Sequence, residues 1–279
     1  MSFVLKKASK KAKKLRILFS ASAGSGKTYS ALKTAYGLCG DWSKICVIDT
    51  ERDSASLYSD MGEFNTISLT APYTPERYIE AIHTAEKAEM DVIIIDSITH
   101  EWSGEGGCLE IHSRLGGTFQ NWGSVTPRHN RFIDAILTSS CHVFCTVRRK
   151  EEFAIVTGSN GKNTVQKMGL QEVTRDGFSY EMDLVFEITN DNHLATSSKD
   201  RTGLFTDVPE FLISEDTGGI LRDWASKGRS ELDDALDIIR TTTDLDSLQA
   251  VHSSYINLHK NADYLTAIKN KKVEITNNK

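Results

Sequence analysis

Ala21-Ser22-Ala23-Gly24-Ser25-Gly26-Lys27-Thr28 stands between an apolar run, Leu15–Ser20, and a segment of helical periodicity, Lys27–Leu38, in which Tyr29, Leu32, Ala35 and Tyr36 share a face. Strand, glycine turn and helix in immediate succession aim backbone N–H groups and a helix N-terminus at one point, an arrangement that suits an anion. The spacing is that of a phosphate-binding loop, so Ser22, Ala23, Gly24, Ser25, Gly26, Lys27, Thr28 and Tyr29 are expected around the phosphates of ATP. Lys27 is expected to reach the β- and γ-phosphates, and the Thr28 hydroxyl to ligate Mg²⁺. Ala21 occupies the position where such loops usually carry their first glycine.

Working outward, Asp91-Val92-Ile93-Ile94-Ile95-Asp96-Ser97 has four apolar residues that bury a strand and deliver a carboxylate to its end. Ligands of open α/β sheets bind at that edge, so Asp96 is the expected second Mg²⁺ residue, acting through water. Ile45–Asp49, Thr66–Leu69 and His142–Val147 also read as strands, with helices at Pro75–Glu89 and Pro127–Ser139 between them. Alternation of this kind predicts an α/β fold with a doubly wound, mostly parallel sheet. Beyond residue 150 the pattern becomes paired strands: Glu152–Thr157 with Thr164–Lys167 around residues 158–162, and Asp183–Thr189 with His193–Ser198. From Ser230, with a capping-box start at Ser230 and Asp233, the chain reads as a small helical module with faces at Leu232/Leu236/Ile239, Leu245/Leu248/Val251/Tyr255/Leu258 and Tyr264/Ile268. The expected organisation is a basic arm at 1–14, a core at 15–227 and a helical module at 228–279.

A chain of 279 residues, 39% hydrophobic and 25% charged, has room for one α/β core and an appendage and is neither disordered nor fibrous in composition. Its apolar runs are strand-sized, so no membrane span is expected, and its N-terminal lysines precede no apolar core of a secretory signal. Cys39, Cys46, Cys108, Cys141 and Cys145 form no CxxC pair, and the histidines form no HxxxH. Reduced thiols in a cytoplasm are therefore expected, with neither a disulfide framework nor a zinc site. The net charge of −5 hides an asymmetry: residues 1–16 hold Lys6, Lys7, Lys10, Lys11, Lys13, Lys14 and Arg16 and no acid. Such a block suits a phosphate backbone or a neighbouring subunit, and equally a solvated leader.

Hydrolysis needs a carboxylate to activate water, and three stand near strand ends or helix starts: Glu51, Glu76 and Glu101. Spacing alone does not rank them. The phosphate loop, Asp49-Thr50-Glu51, Thr74-Pro75-Glu76-Arg77-Tyr78-Ile79-Glu80 and the Asp96-Ser97 strand end together resemble the RecA-type ATPase core. Asp96-Ser97-Ile98-Thr99-His100-Glu101-Trp102, Gly106-Gly107-Cys108-Leu109-Glu110-Ile111-His112 and Thr126-Pro127-Arg128-His129-Asn130-Arg131-Phe132 extend the likeness. They resemble the phage-encoded RecA-like ATPases grouped with single-strand-annealing recombination proteins. The resemblance covers roughly residues 15–225.

That resemblance implies Glu76 as the base, with Glu101 second. It also implies that Lys199 and Arg201, in Ser198-Lys199-Asp200-Arg201, reach ATP bound to a neighbouring subunit, as the Lys-x-Arg pairs of DnaB-type helicases and KaiC do. A homo-oligomer, ring or filament, with ATP at its interfaces follows. Two loops would meet single-stranded DNA: about 104–125, with Arg114, Phe119 and Trp122, and about 148–176, with Arg148, Arg149, Lys150, Lys162, Lys167, Arg175 and Phe153. Where RecA-type recombinases carry a γ-phosphate-sensing amide, this chain has Cys145-Thr146-Val147-Arg148, leaving Thr146 or Arg148 for that task. Annealing or loading therefore fits better than ATP-coupled strand exchange, with a single-strand-binding protein or another replication or recombination protein as a further partner. Two alternatives remain open: a DNA-independent ATPase that loads a partner protein, and a nucleotide-binding switch with negligible turnover.

Overall fold

The computed structural model describes residues 13–157, 163–226 and 231–277. The described residues divide into two compact units, one within 14–222 and one within 223–277.

In the larger unit the chain runs β1 (Arg16–Ala21), α1 (Lys27–Cys39), β2 (Ile45–Asp49), β3 (Asn65–Ser68), α2 (Pro75–Lys87), β4 (Val92–Asp96), α3 (Thr99–Ser103), α4 (Cys108–Arg114), α5 (Trp122–Thr138), β5 (His142–Thr157), β6 (Asn163–Glu172), α6 (Phe178–Glu181), β7 (Leu184–Ile188), β8 (Leu194–Asp200) and β9 (Phe211–Leu212). Helix α7 (Glu215–Ser226) follows, and the division between the units falls within it. Among the described residues the sheet has nine strands in the order β3-β2-β4-β5-β1-β7-β8-β9, with β6 paired to β5. Pairs from β3 to β7 are parallel; β8, β9 and β6 join antiparallel. This is a mostly parallel, doubly wound α/β sheet.

Strand side chains alternate between faces, and the core divides accordingly. Leu18, Ile93, Ile95, Val143, Cys145 and Val147 point to one face, where Tyr78, Ala81 and Ile82 of α2 and Phe132 and Ile136 of α5 cover them. Phe19 and its neighbours Phe144 and Phe186, each with ring centroids 5.8 Å from it, point the other way and are fully buried. Helix α1 lies against the sheet through Ala31, Leu32, Ala35 and Leu38.

Helix α7 approaches α1 closely. A Cβ on Gly37 would overlap the backbone of Glu215, and one on Gly218 would overlap that of Thr34 and Leu38. Gly37→Ala and Gly218→Ala are each expected to destabilise by about 1–3 kcal/mol through overpacking, lowering Tm by roughly 2–4 °C per kcal/mol in thermal melts. Gly123→Ala in α5 meets nothing within 4 Å. It is expected to leave Tm unchanged or raise it.

Two expectations need adjustment. Helix α5 begins at Trp122, five residues before the proline expected to open it, so Pro127 lies inside the helix. The extra turn is anchored by buried Val125 and by Trp122, which stacks on Trp102 at 5.6 Å, so the hydrogen bond that proline cannot donate is offset by packing. The first expected loop, 104–125, is largely helical, containing α4 and a 3₁₀ turn at Phe119–Asn121. The expected turn at 158–162, including Lys162, and the Ser230 cap lie outside the described residues.

The smaller unit holds α8 (Glu231–Thr241), α9 (Leu245–Ser254) and α10 (Ala262–Asn277). Ala235, Ile239, Leu248, Val251, Tyr255, Tyr264 and Ile275 form its core.

Candidate functional site

The loop after β1 turns on Gly24 and Gly26, both left-handed with φ of 81° and 83°. A Cβ on Gly24 would meet nothing within 4 Å, so backbone freedom, not space, requires glycine there. Ser25 fastens the loop with its hydroxyl 3.1 Å from Ser22 O and 2.9 Å from Asn190 Oδ1, its one proton shared between them, while His193 Nδ1 lies 3.1 Å from Ser25 O. Lys27 Nζ donates to Ser22 O at 2.7 Å and Ala21 O at 3.3 Å. Burial lowers its pKa and the charge of Asp96 opposes that shift. Tyr29 lies just beyond, with its ring 6.2 Å from that of Tyr58.

Parallel register puts the ends of β2 and β4 side by side, Asp49 opposite Asp96. Asp96 is 3% exposed and accepts hydrogen bonds from Thr28 Oγ1 and Thr146 Oγ1, both at 2.5 Å. Burial raises its pKa, against the lowering effect of those two hydroxyls. Thr50 ties the strand ends together: its N–H donates to Asp96 O, its hydroxyl accepts from Ser97 N at 2.8 Å, and His100 Nδ1 lies 2.8 Å from the same oxygen. Burial lowers the pKa of His100, with Glu51 opposing.

Immediately after β2, the Glu51 N–H donates to Asp49 Oδ1 at 2.6 Å. Its carboxylate accepts from Ser97 Oγ at 3.2 Å and takes both nitrogens of a guanidinium fork from Arg148, Nε at 3.0 Å and Nη2 closer still. A cavity of about 210 Å³ is lined by Glu51 and Arg148 together with Lys27, Thr28, Asp96 and Tyr58.

Of the three candidate carboxylates, the fold brings Glu51 to this cavity. Glu76, in the first turn of α2, instead holds Arg128 at 2.8 and 2.7 Å and Arg131 at 3.5 Å. Hydrogen bonding from Arg128 holds the Glu76 pKa down to about 2. Glu101 is buried in α3, between Cys108 Sγ and His129 Nδ1.

Lys199 and Arg201 sit at the end of β8 and do not line the cavity of their own chain. Both cap the end of α6: Lys199 Nζ donates to Ser179 O at 3.2 Å and to Tyr180 O, and Arg201 Nη2 donates to Tyr180 O at 3.2 Å.

Of the cations expected to meet DNA, Arg148 is at the phosphate cavity and Arg149 pairs with Glu187 at 2.6 Å. Lys150 and Arg175 line a second, larger cavity of about 960 Å³ with Trp102, Phe119 and Trp122. Lys162 lies outside the described residues, as does the side chain of Lys167. Sequence reading did not single out Ser54 and Tyr58, which line the phosphate cavity from the turn after β2. No motif marks them, because their place depends on how that turn folds back.

A family model described as "AAA domain" matches residues 13–210, most of the chain. The chain belongs to the AAA domain family. With its phosphate loop, it is a P-loop nucleotide-binding protein of the ATPase kind. No curated protein matches it. Among solved structures, a KaiC-like protein from the hyperthermophilic archaeon Pyrococcus horikoshii OT3 is similar over 69% of this chain and 82% of its own, at 14% identity and a TM-score of 0.40. A likeness so remote bears on neither substrate nor partner. Among the described residues no helix is long and apolar enough to cross a membrane.

Proposed function

We propose that the chain is a Mg²⁺-dependent ATPase that works as a homo-oligomer on single-stranded DNA, in phage-type recombination, annealing or replication. The observation that carries the ATPase reading is the convergence of Lys27, Thr28, Asp96 and Glu51 on one cavity at the C-terminal edge of the sheet. The hydroxyl and carboxylate oxygens of Thr28 and Asp96, 2.5 Å apart, are hard donors that fit Mg²⁺. Thr28 would hold the ion directly and Asp96 through water. The bound ion supplies charge neutralisation on the β- and γ-phosphate oxygens.

Lys27 exchanges its two loop carbonyls for phosphate oxygens. Glu51 orients the attacking water and accepts its proton, a task that geometry favours over Glu76 or Glu101. Arg148 leaves Glu51 for the γ-phosphate, which frees the carboxylate only when nucleotide is bound and fills the role of the missing amide.

Support for DNA comes from the larger cavity. Trp122 stacks between Trp102 at 5.6 Å and His112 at 4.0 Å, and Phe119 is 87% exposed, beside the cations Lys150 and Arg175. Aromatic faces next to cations suit single strands, where each stacked base contributes ~1–3 kcal/mol.

The decisive measurement is ATP hydrolysis with and without single-stranded DNA over a salt series. Stimulation is expected, with DNA affinity falling as salt rises, by a log–log slope of about −0.7 per phosphate neutralised. Phe119→Ala is expected to weaken DNA binding by roughly 5–150-fold while leaving DNA-free hydrolysis unchanged. Hydrolysis indifferent to DNA would point to a partner-loading ATPase, and binding without hydrolysis to a switch.

A further inference from the structure

Spacing along the sequence shows no metal motif, yet the fold gathers three ligand-type side chains from three helices. Glu101 in α3, Cys108 at the start of α4 and His129 in α5 are 0%, 0% and 3% exposed. One donor atom from each lies within 4.8 Å of the other two. Cys108 Sγ is 3.0 Å from Glu101 Oε1, and His129 Nδ1 is 3.0 and 3.1 Å from the two carboxylate oxygens. None of the three lines the phosphate cavity.

A carboxylate withdrawn from water needs compensating charge or hydrogen bonds. The Glu101 carboxylate is met at hydrogen-bond distance by His129 and by the Cys108 thiol, a weak donor, while the Arg128 guanidinium acts on it from further off. The surroundings are aromatic: the Trp102 ring lies 5.6 Å edge-on to His129, and Phe132 is 6.3 Å away.

We propose that Glu101, Cys108 and His129 bind one divalent transition-metal ion of the zinc class. Thiolate, imidazole and carboxylate together select such an ion over Mg²⁺ or Ca²⁺, which take oxygen donors. Tetrahedral zinc with bonds of about 2.0–2.3 Å separates its ligand atoms by roughly 3.3–3.7 Å. The two pairs made by Glu101, now at 3.0 Å, would open by about half an ångström, while the thiol and the imidazole, within 4.8 Å of each other, would settle to the same spacing. The thiol proton, and any proton on His129 Nδ1, leaves to solvent as the ion enters. His129 also lines a cavity of about 480 Å³ with Asn130, Asp134 and Asp176, which provides the entry path. The ion would tie α3, α4 and α5 together directly beneath the tryptophans of the larger cavity. Magnesium at Thr28 and Asp96 is a separate site with a different donor set.

The test uses the full chain, stripped with chelator and titrated with Co²⁺ alone. The expected result is a thiolate-to-cobalt charge-transfer absorption that saturates at one ion per chain and is displaced by Zn²⁺. Tryptophan fluorescence should change in step, because Trp102 adjoins His129. Cys108→Ser and His129→Gln should abolish the band and weaken Zn²⁺ binding by more than roughly 100-fold, beyond the loss typical of second-layer residues. Cys39→Ser should retain both. Wild-type protein that shows no saturable thiolate band overturns the proposal even if the variants fail to fold. So does a band that survives in a folded Cys108→Ser variant.

Discussion

Glu51→Gln is expected to keep ATP binding and to lose hydrolysis by roughly 10²–10⁴-fold, the range for removing a positioned general base. The amide preserves shape, and its oxygen still accepts from Arg148 and Ser97, the two groups that hold the carboxylate. What disappears is the capacity to take a proton from water. Glu76→Gln provides the contrast: it breaks a pair with Arg128 on α5 and is expected to alter turnover by no more than a few-fold. A carboxyl held near pKa 2 is also a poor base at neutral pH, since proton affinity is what the reaction requires. Single-turnover hydrolysis of bound ATP in the two variants decides the matter. A silent Glu76→Gln beside an active Glu51→Gln would reverse the assignment.

The Glu76 pair carries a pH signature of its own. Its folded pKa is depressed, so the stabilisation it supplies is complete above the unfolded value near ~4.3 and disappears as pH falls toward about 2. Because both partners are partly exposed, solvent screening keeps that contribution small.

The parallel core was legible because its signals are local. Four consecutive apolar residues ending in Asp96 read as a doubly covered strand, and Gly24 and Gly26 mark a loop whose backbone turns left-handed. The strand ends at Asp49 and Asp96 were read to the residue. A ranking of the three candidate carboxylates was not legible in the same way. Glu51, Glu76 and Glu101 all follow strands or open helices, and their separation depends on tertiary partners: Arg148 from β5 for Glu51, Arg128 from α5 for Glu76, Cys108 and His129 for Glu101. The surroundings of Arg148 were not legible for a related reason. In sequence this arginine heads a basic run, Arg148-Arg149-Lys150, but strand alternation turns Arg149 to the face opposite the other two, and Lys150 lies further along the strand than Arg148. One forks onto Glu51, the next pairs with Glu187, and the third reaches the larger cavity. The Glu101–Cys108–His129 cluster shows the same limit, since ligands spaced by 7 and 28 residues meet only through the packing of three helices.

Arg201→Ala is expected to lower ATP hydrolysis by roughly 10³–10⁵-fold, the contribution of an arginine that meets charge developing on the transferring phosphoryl group. Lys27→Ala should be as inactive, for a reason internal to its own chain: the loop loses the cation that now rests on Ser22 O and Ala21 O. Within one chain, Arg201 is held by Tyr180 O and lies 3.7 Å from Asp183, away from the lining of the phosphate cavity. On the proposed reading, its charge would therefore bear on ATP across an interface between copies. Mixing the two dead variants tests this directly. In a head-to-tail assembly a site is whole when an Arg201→Ala subunit supplies the loop and a Lys27→Ala neighbour supplies the arginine, which random equal mixing yields at about a quarter of interfaces. Recovery approaching that fraction of wild-type turnover, greatest near equal ratio and lost on dilution below the assembly concentration, is the expected outcome. Mixtures that stay inactive at every ratio, although the subunits co-assemble, would mean that each chain completes its own site and that Arg201 serves only to cap α6.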